Sequence, residues 1–265
     1  MPAHRVRVHG VPAWVNASRL LGAHGWRVDG DALTAELDRP VAATLAARMR
    51  GLVLGGAAVT VEVTPRLGRP AVRRARTEDA RARRHTTPGF VRRGTRTDAE
   101  GRISLTPEAI AVDLAERVGD GVVVDACCGV GGNAIAFARR GCRVIAVERD
   151  RERLAMARHN AGVYGVLEGI TFRHGDAFEV VPTLEADALF VDPPWAGLSR
   201  HPCGRSDLPL LGLLELEQFG RRFAKVPPSF DVDTLPGFTS EAVFGRAEGD
   251  RHRVKLVWLA LGRTR

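Results

Sequence analysis

The stretch "VVVDACCGVGGN", Val122 to Asn133, runs three valines into an aspartate and then into a turn with three glycines. A β-branched run that ends on an acid and passes through glycine into "GNAIAFARR" reads as strand, tight turn and helix. Glycine at Gly129, Gly131 and Gly132 lets the backbone approach a ligand closely. In open α/β sheets this corner is where nucleotides sit. The alternation continues with "RVIAVE", "DRERLAMARHNAGVYG", "ITFRHG" and "ALFVD", then "RFAKV" and "RVKLVWLALG" as later strands. That order predicts an α/β fold with a parallel, doubly wound sheet. Just upstream, "SLTPEAIAVDLAERV" predicts a helix with Thr106 as N-cap and Pro107 in its first position.

Acids recur at the strand ends. Asp125 closes the first strand, Glu148 the second, and Asp176 follows the third in "RHGDAF". A carboxylate at Glu148 can accept both hydroxyl protons of a ribose, and one at Asp176 the amino protons of an adenine. Single strand-end acids favour the next helix, but three in succession beside a glycine turn point to a nucleoside. The turn lacks a full G-x-G-x-x-G, and no basic cradle for a pyrophosphate follows. The pattern suits S-adenosylmethionine better than a dinucleotide.

The fourth strand ends in "LFVDPPWAG", Leu189 to Gly197. Proline supplies no ladder donor, so the strand stops at Asp192. The Asp192 side chain and the Pro193 carbonyl can both accept from a planar amino group, held by a stiff Pro193-Pro194 turn, with Trp195 able to stack on the attached ring. Holding both hydrogens aligns a poor nitrogen nucleophile with a methyl carbon. The expected chemistry is transfer of a methyl group to an exocyclic amine.

Residues 1–64 show alternating strands at "RVRVHG", "ALTAELD" and "AVTVEV" and helical patterns at 16–24 and 40–54. The order β-α-β-β-α-β predicts a small ferredoxin-like α+β module. Its strands offer almost no aromatics for stacking bases. Residues 65–99 read as a connector in which Pro70, Pro88 and Gly89 act as breakers. Between Arg66 and Arg96 it carries eleven arginines against only Glu78 and Asp79, a balance of +9 that exceeds the whole net charge of +8. Such a stripe is the footprint of nucleic-acid binding, and Arg73, Arg74, Arg76, Arg81, Arg83 and Arg84 are the candidate phosphate contacts. The last division, 100–265, holds the cofactor and amine sites.

Other classes are disfavoured. No apolar run reaches the ~20 residues a bilayer span needs, and the N-terminus lacks the apolar core of a secretory signal. The four cysteines have no metal-type spacing, so no metal is expected, and reduced thiols fit a cytoplasmic protein. Cys127 and Cys128 read as small buried residues.

The segments "DAEGRISLTPEAIA", "DACCGVGGNAIAFA", "RVIAVERD", "ARHNAGVYG" and "DALFVDPPWAG" together resemble the trimethylguanosine synthase family, the RNA cap guanine-N2 methyltransferases. The resemblance is strong over about 98–198 and faint over 220–262. It implies a class I methyltransferase fold, S-adenosylmethionine as methyl donor, and Trp195 stacked on the target guanine. The cofactor set is then Thr106, Asp125, Cys127, Gly129, Gly131, Asn133, Glu148, Asp176 and Ala177. Asp192, Pro193 and Trp195 are the catalytic candidates, with Ser104, Pro194, Trp195, Arg81, Arg83 and Arg84 on the substrate side. This chain departs from the family at three places. Asp192 replaces the serine before the prolines, Ile103 replaces a phenylalanine, and Val226-Pro227-Pro228-Ser229 stands where Leu-Pro-Arg-Asn is usual. The expected activity is RNA methylation at guanine N2. Adenine N6, a small-molecule or protein amide, and a non-catalytic RNA-binding protein with a degenerate domain remain the alternatives.

Overall fold

The computed structural model describes residues 3–262; the outermost ends of the two predicted domains, 1–2 and 263–265, lie outside the described residues. The large sheet holds β7 (Val122–Asp125), β8 (Arg143–Glu148), β9 (Ile170–His174), β10 (Ala188–Val191), β11 (Arg221–Val226), β12 (Thr239–Phe244) and β13 (Val254–Leu261). Their order is β12-β13-β11-β10-β7-β8-β9. β7 to β11 are mutually parallel, and β13 runs antiparallel to both β11 and β12. The strand order reverses between β7 and β10, which opens a crevice at their carboxyl ends.

Both faces of this sheet are covered, which explains its near-continuous apolar strands. On one face α5 (Glu108–Val118), α6 (Gly132–Arg140) and α7 (Arg151–Tyr164) bury Ile110, Leu114, Phe137 and Ala161 against Val123, Val144, Phe190 and Trp258. On the other, Leu208, Leu211, Leu214, Phe219 and Phe230 pack on Val124, Val147, Leu189 and Leu259. Val123 and Val124 thus point to opposite faces, as the pleat requires. Helix α5 begins one residue later than expected. Pro107 is its N-cap, and the Thr106 hydroxyl is buried without a partner.

The glycine turn has two kinds of glycine. A Cβ on Gly132 would lie 2.4 Å from Leu105 Cδ1, and one on Gly131 3.1 Å from Ala157 Cβ; these positions are fixed by packing. Gly129, at φ +53°, would meet nothing within 4 Å. Only Gly129 leaves open space for a ligand.

The N-terminal unit comprises β1 (His4–His9), α1 (Ala17–Leu21), β2 (Arg27–Asp29), β3 (Ala32–Leu37), α2 (Arg39–Met49), a short hairpin β4 (Val53–Leu54) and β5 (Ala57–Ala58), and β6 (Thr60–Thr64). Its sheet runs β2-β3-β1-β6 with antiparallel neighbours. Helix α2 stops at Met49, so Leu52, expected within a helix over 40–54, lies outside it. On the open face Arg5 pairs with Glu36 and Arg7 with Asp29. The apolar face is continuous with the large sheet: Ala242, Phe244 and Val254 join Val6, Val8, Leu21 and Met49 in one cluster.

The connector differs from its reading as a broken linker. Arg69–Ala82 is a 14-residue helix, α3, with Pro70 in its first turn, where a missing N–H costs nothing. It lays Ala71 and Ala75 on Ala43 and Ala47 of α2. Its end is tied to the β12–β13 loop, where Asp79 pairs with Arg253 and the Asp250 carboxylate accepts from the Thr87 N–H and hydroxyl at 2.8 Å each. Because β12 is parallel to β11, that loop lies on the edge of the sheet that also carries the crevice.

Candidate active site

The crevice forms a cleft of about 480 Å³ lined by Ser104, Leu105 and Thr106, the 126–130 turn, Gly132 and Asn133, Glu148, Asp176–Phe178, Asp192–Pro194 and Leu208–Leu210. Segments far apart in sequence meet here because β7, β8 and β10 end side by side.

Glu148 is 8% exposed. Its Oε2 accepts from the Gly129 N–H and its Oε1 from the Asp150 N–H, both at 2.9 Å. The carboxylate is fixed by two backbone donors while lone pairs remain on each oxygen. Asp176 caps the four-residue α8 (Ala177–Val180), with Oδ1 accepting from the Phe178 N–H at 2.8 Å. Thr106, Cys127, Gly129, Asn133, Glu148, Asp176 and Ala177 all line the cleft, as do Ser104, Pro193 and Pro194.

Asp125 and Gly131 do not line it. Asp125 is fully buried behind the turn, and among the described residues no side chain donates a hydrogen bond to its carboxylate. Burial first, then the Asp192 charge, pushes its pKa up to about 8. Direct contact of the Asp125 side chain with a ligand in the cleft is therefore not what this geometry provides. The Cys127 thiol is also held well above its usual pKa by burial and donates to the Asp192 carbonyl at 2.8 Å. It is no thiolate nucleophile.

Asp192 is the hub of the far wall. Its Oδ2 accepts from Lys225 Nζ at 2.8 Å and Asn133 Nδ2 at 3.1 Å. Burial pushes its pKa up, and the Lys225 ammonium is the main opposing influence. Trp195 departs from the expected stacking role, since it does not line the cleft. Lys225 Nζ lies 5.5 Å from its ring centroid. The aromatic that does line the cleft is the exposed Phe178.

Lys225 and Phe178 were both missed from the sequence. "RFAKV" signals a strand, and nothing in its pattern says which partner its lysine meets. The adjacency of Phe178 to Asp176 was the available signal for the second. Arg81, Arg83 and Arg84 are exposed and stand outside the cleft; Arg83 is paired with Asp79 at 3.0 Å. Val226–Phe230 is buried throughout. The Pro228 and Ser229 carbonyls accept from the Gly55 and Gly56 N–H groups at 3.0 Å, so the N-terminal hairpin seals this loop.

A parallel five-strand run with a reversed strand inserted beside its last member, and an acid-lined cleft at the switch point, define a class I methyltransferase fold. Residues 120–230 match the family described as RNA cap guanine-N2 methyltransferase. The trimethylguanosine synthase of Schizosaccharomyces pombe is 38% identical over 112 residues, which is 38% of this chain and 46% of the relative. An uncharacterized RNA methyltransferase of Listeria monocytogenes is 38% identical over 92 residues, 33% of this chain and 20% of the relative. The trimethylguanosine synthase of Saccharomyces cerevisiae is 34% identical over 104 residues, 36% of this chain and 33% of the relative. The chain thus spans less than half the length of these relatives.

Proposed function

We propose that the protein is an S-adenosylmethionine-dependent methyltransferase acting on guanine N2 in RNA. The observation that carries this reading is the meeting, in one cleft, of Glu148 and Asp176 with the Asp192-Pro193-Pro194 turn. The residues fit the cofactor: two fixed acids for ribose and adenine, open space at Gly129, and room for a nucleoside. When bound, S-adenosylmethionine supplies an electrophilic methyl group. Asp192 and the Pro193 carbonyl hold the two amine hydrogens and aim the nitrogen lone pair. As a bond forms to nitrogen, that nitrogen must lose a proton, and Asp192 is the acceptor beside it.

The charge state of Asp192 supports guanine over adenine. Beside its amino group guanine presents a second donor, N1–H, whereas adenine presents an acceptor, N1. A carboxylate paired with Lys225 is acceptor-only and matches the guanine edge. The family match supports the same base. The Val226–Ser229 loop lacks the usual arginine and is sealed by Gly55 and Gly56, which favours a guanine within RNA over a capped end.

Calorimetric titration with S-adenosylmethionine and its demethylated product tests the cofactor. Mass spectrometry of nucleosides from treated RNA tests the base, with N2-methylguanosine the expected product and N6-methyladenosine the result that would transfer the reading to the other amine. Asp192→Ala is expected to lower kcat at least ~100-fold while leaving cofactor affinity intact.

A further inference from the structure

Only two of the 39 Lys and Arg residues are lysines, and each stands against an aspartate: Lys225 at Asp192 and Lys255 at Asp250. In a chain so rich in arginine this choice has a physical reason. An ammonium is a compact charge with three donors, whereas the guanidinium is a flat, wider fork. Lys225 is 2% exposed. Its Nζ reaches Asp192 Oδ2 at 2.8 Å and the Ser104 carbonyl at 3.1 Å, and lies against the Trp195 face. Three segments that line or flank the cleft, from 104, 192 and 195, converge on this one cation.

We propose that Lys225 is the positioning residue of the amine clamp: a single ammonium that holds Asp192 as an acceptor-only carboxylate, orients Trp195 and ties the Ser104 lip of the cleft to both. The proposal rests on the reading of the cleft given above.

The surroundings show why a cation is needed. Asp192 at the end of β10 lies near Asp125 from β7, another acid, and its backbone carbonyl accepts from the thiol of Cys127. Asn133 from α6 adds a neutral donor. Lys225 from β11 is the one cation among these groups. Burial raises the Asp192 pKa, and Lys225 is the largest influence lowering it. Without the ammonium, Asp192 takes up a proton and presents an O–H donor where an amine needs an acceptor. Lys225 touches neither of the amine hydrogens. It acts through Asp192.

Lys225→Met keeps the side-chain length and removes the charge. In steady-state methylation of RNA it is expected to lower kcat at neutral pH about tenfold or more, with cofactor affinity and the KM for RNA little changed. The acid limb of its kcat profile is expected to move to higher pH by about one unit or more. Asp192→Asn in the same chain supplies an acceptor carbonyl that needs no counter-ion. The double variant has no carboxylate left to titrate, so it is expected to lose the acid limb while kcat stays low, because the amide carbonyl accepts a hydrogen bond but no proton. An acid limb at the wild-type position in Lys225→Met would overturn the proposal, whatever the fall in rate. A second arm does not depend on turnover: urea unfolding of the wild type, both single variants and the double. Strong coupling is expected, because each single variant strands one buried partner; additive losses would overturn the pairing. If the wild type methylates no RNA, the functional reading fails, and the unfolding cycle still decides on Lys225.

Discussion

At the scale of single residues, the unusual group is Asp125. Buried polar atoms are nearly always bonded, and an orphan carboxylate calls for a reason. With its pKa pushed up to about 8 in the folded state, Asp125 is protonated on folding across the interval between its ordinary value and 8. In that interval the native state binds the extra proton, so stability falls as pH rises. Asp125→Asn is neutral throughout and keeps the shape. It is expected to gain about 1–3 kcal/mol over the wild type near pH 8 and almost nothing near pH 4. Thermal melts at the two pH values check this, and equal gains at both would refute the origin assigned to the effect.

At the scale of elements, the expected RNA contact can be tested on α3. Ala71, Ala75 and Asp79 face the protein, so the far side of the helix carries Arg69, Arg73, Arg76 and, in the turn that follows, Arg84. Among the described residues none of these four is in an ion pair, whereas Arg74 and Arg83 are neutralised by Glu78 and Asp79. The stripe is about 22 Å long by helical rise, room for several phosphates. Arg69→Ala, Arg73→Ala and Arg76→Ala together are expected to flatten the salt dependence of RNA binding by about three units of slope. Fluorescence anisotropy against salt concentration measures it, with cofactor affinity as the control. An unchanged slope would make the stripe a solvated surface only. The helix, rather than the sheet of the N-terminal unit, is the element to test, since β1 of that sheet pairs Arg5 and Arg7 with acids.

At the scale of the whole molecule, the N-terminal unit and the methyltransferase sheet share one core. Phe244, on the edge strand of the large sheet, is buried with Val6, Leu21 and Met49, and Arg19 lies over its ring at 5.7 Å. Phe244→Ala is expected to cost about 3–5 kcal/mol and to loosen both parts together. Urea unfolding followed by tryptophan fluorescence should show one transition that reports Trp14 and Trp26 in the N-terminal unit with Trp195 and Trp258 in the sheet. Two separate transitions would show that the units are independent. The shared core also fixes where the Gly55-Gly56 hairpin and α3 stand relative to the cleft.

Local pattern was enough for much of this. Three valines, an acid and a glycine turn specify a strand, a tight corner and a helix because their signals are backbone preferences acting over a few residues. The same holds for the strand-end acids Glu148 and Asp176 and for the Asp192-Pro193-Pro194 stop, all of which reach the cleft. The sequence misled where a local signal had two meanings. Pro70 breaks a linker or opens a helix, and only the alanine face of α2 settled which. Strand β12 went unseen because "TSEAVF" is weakly alternating and gains its stability by pairing with β13. What tertiary structure alone decided is who neutralises whom: Lys225 with Asp192, Arg253 with Asp79, and Asp125 with no side-chain partner among the described residues. Charges separated by dozens of residues acquire a distance only when the chain has folded, and the energy of a buried charge is set by that distance.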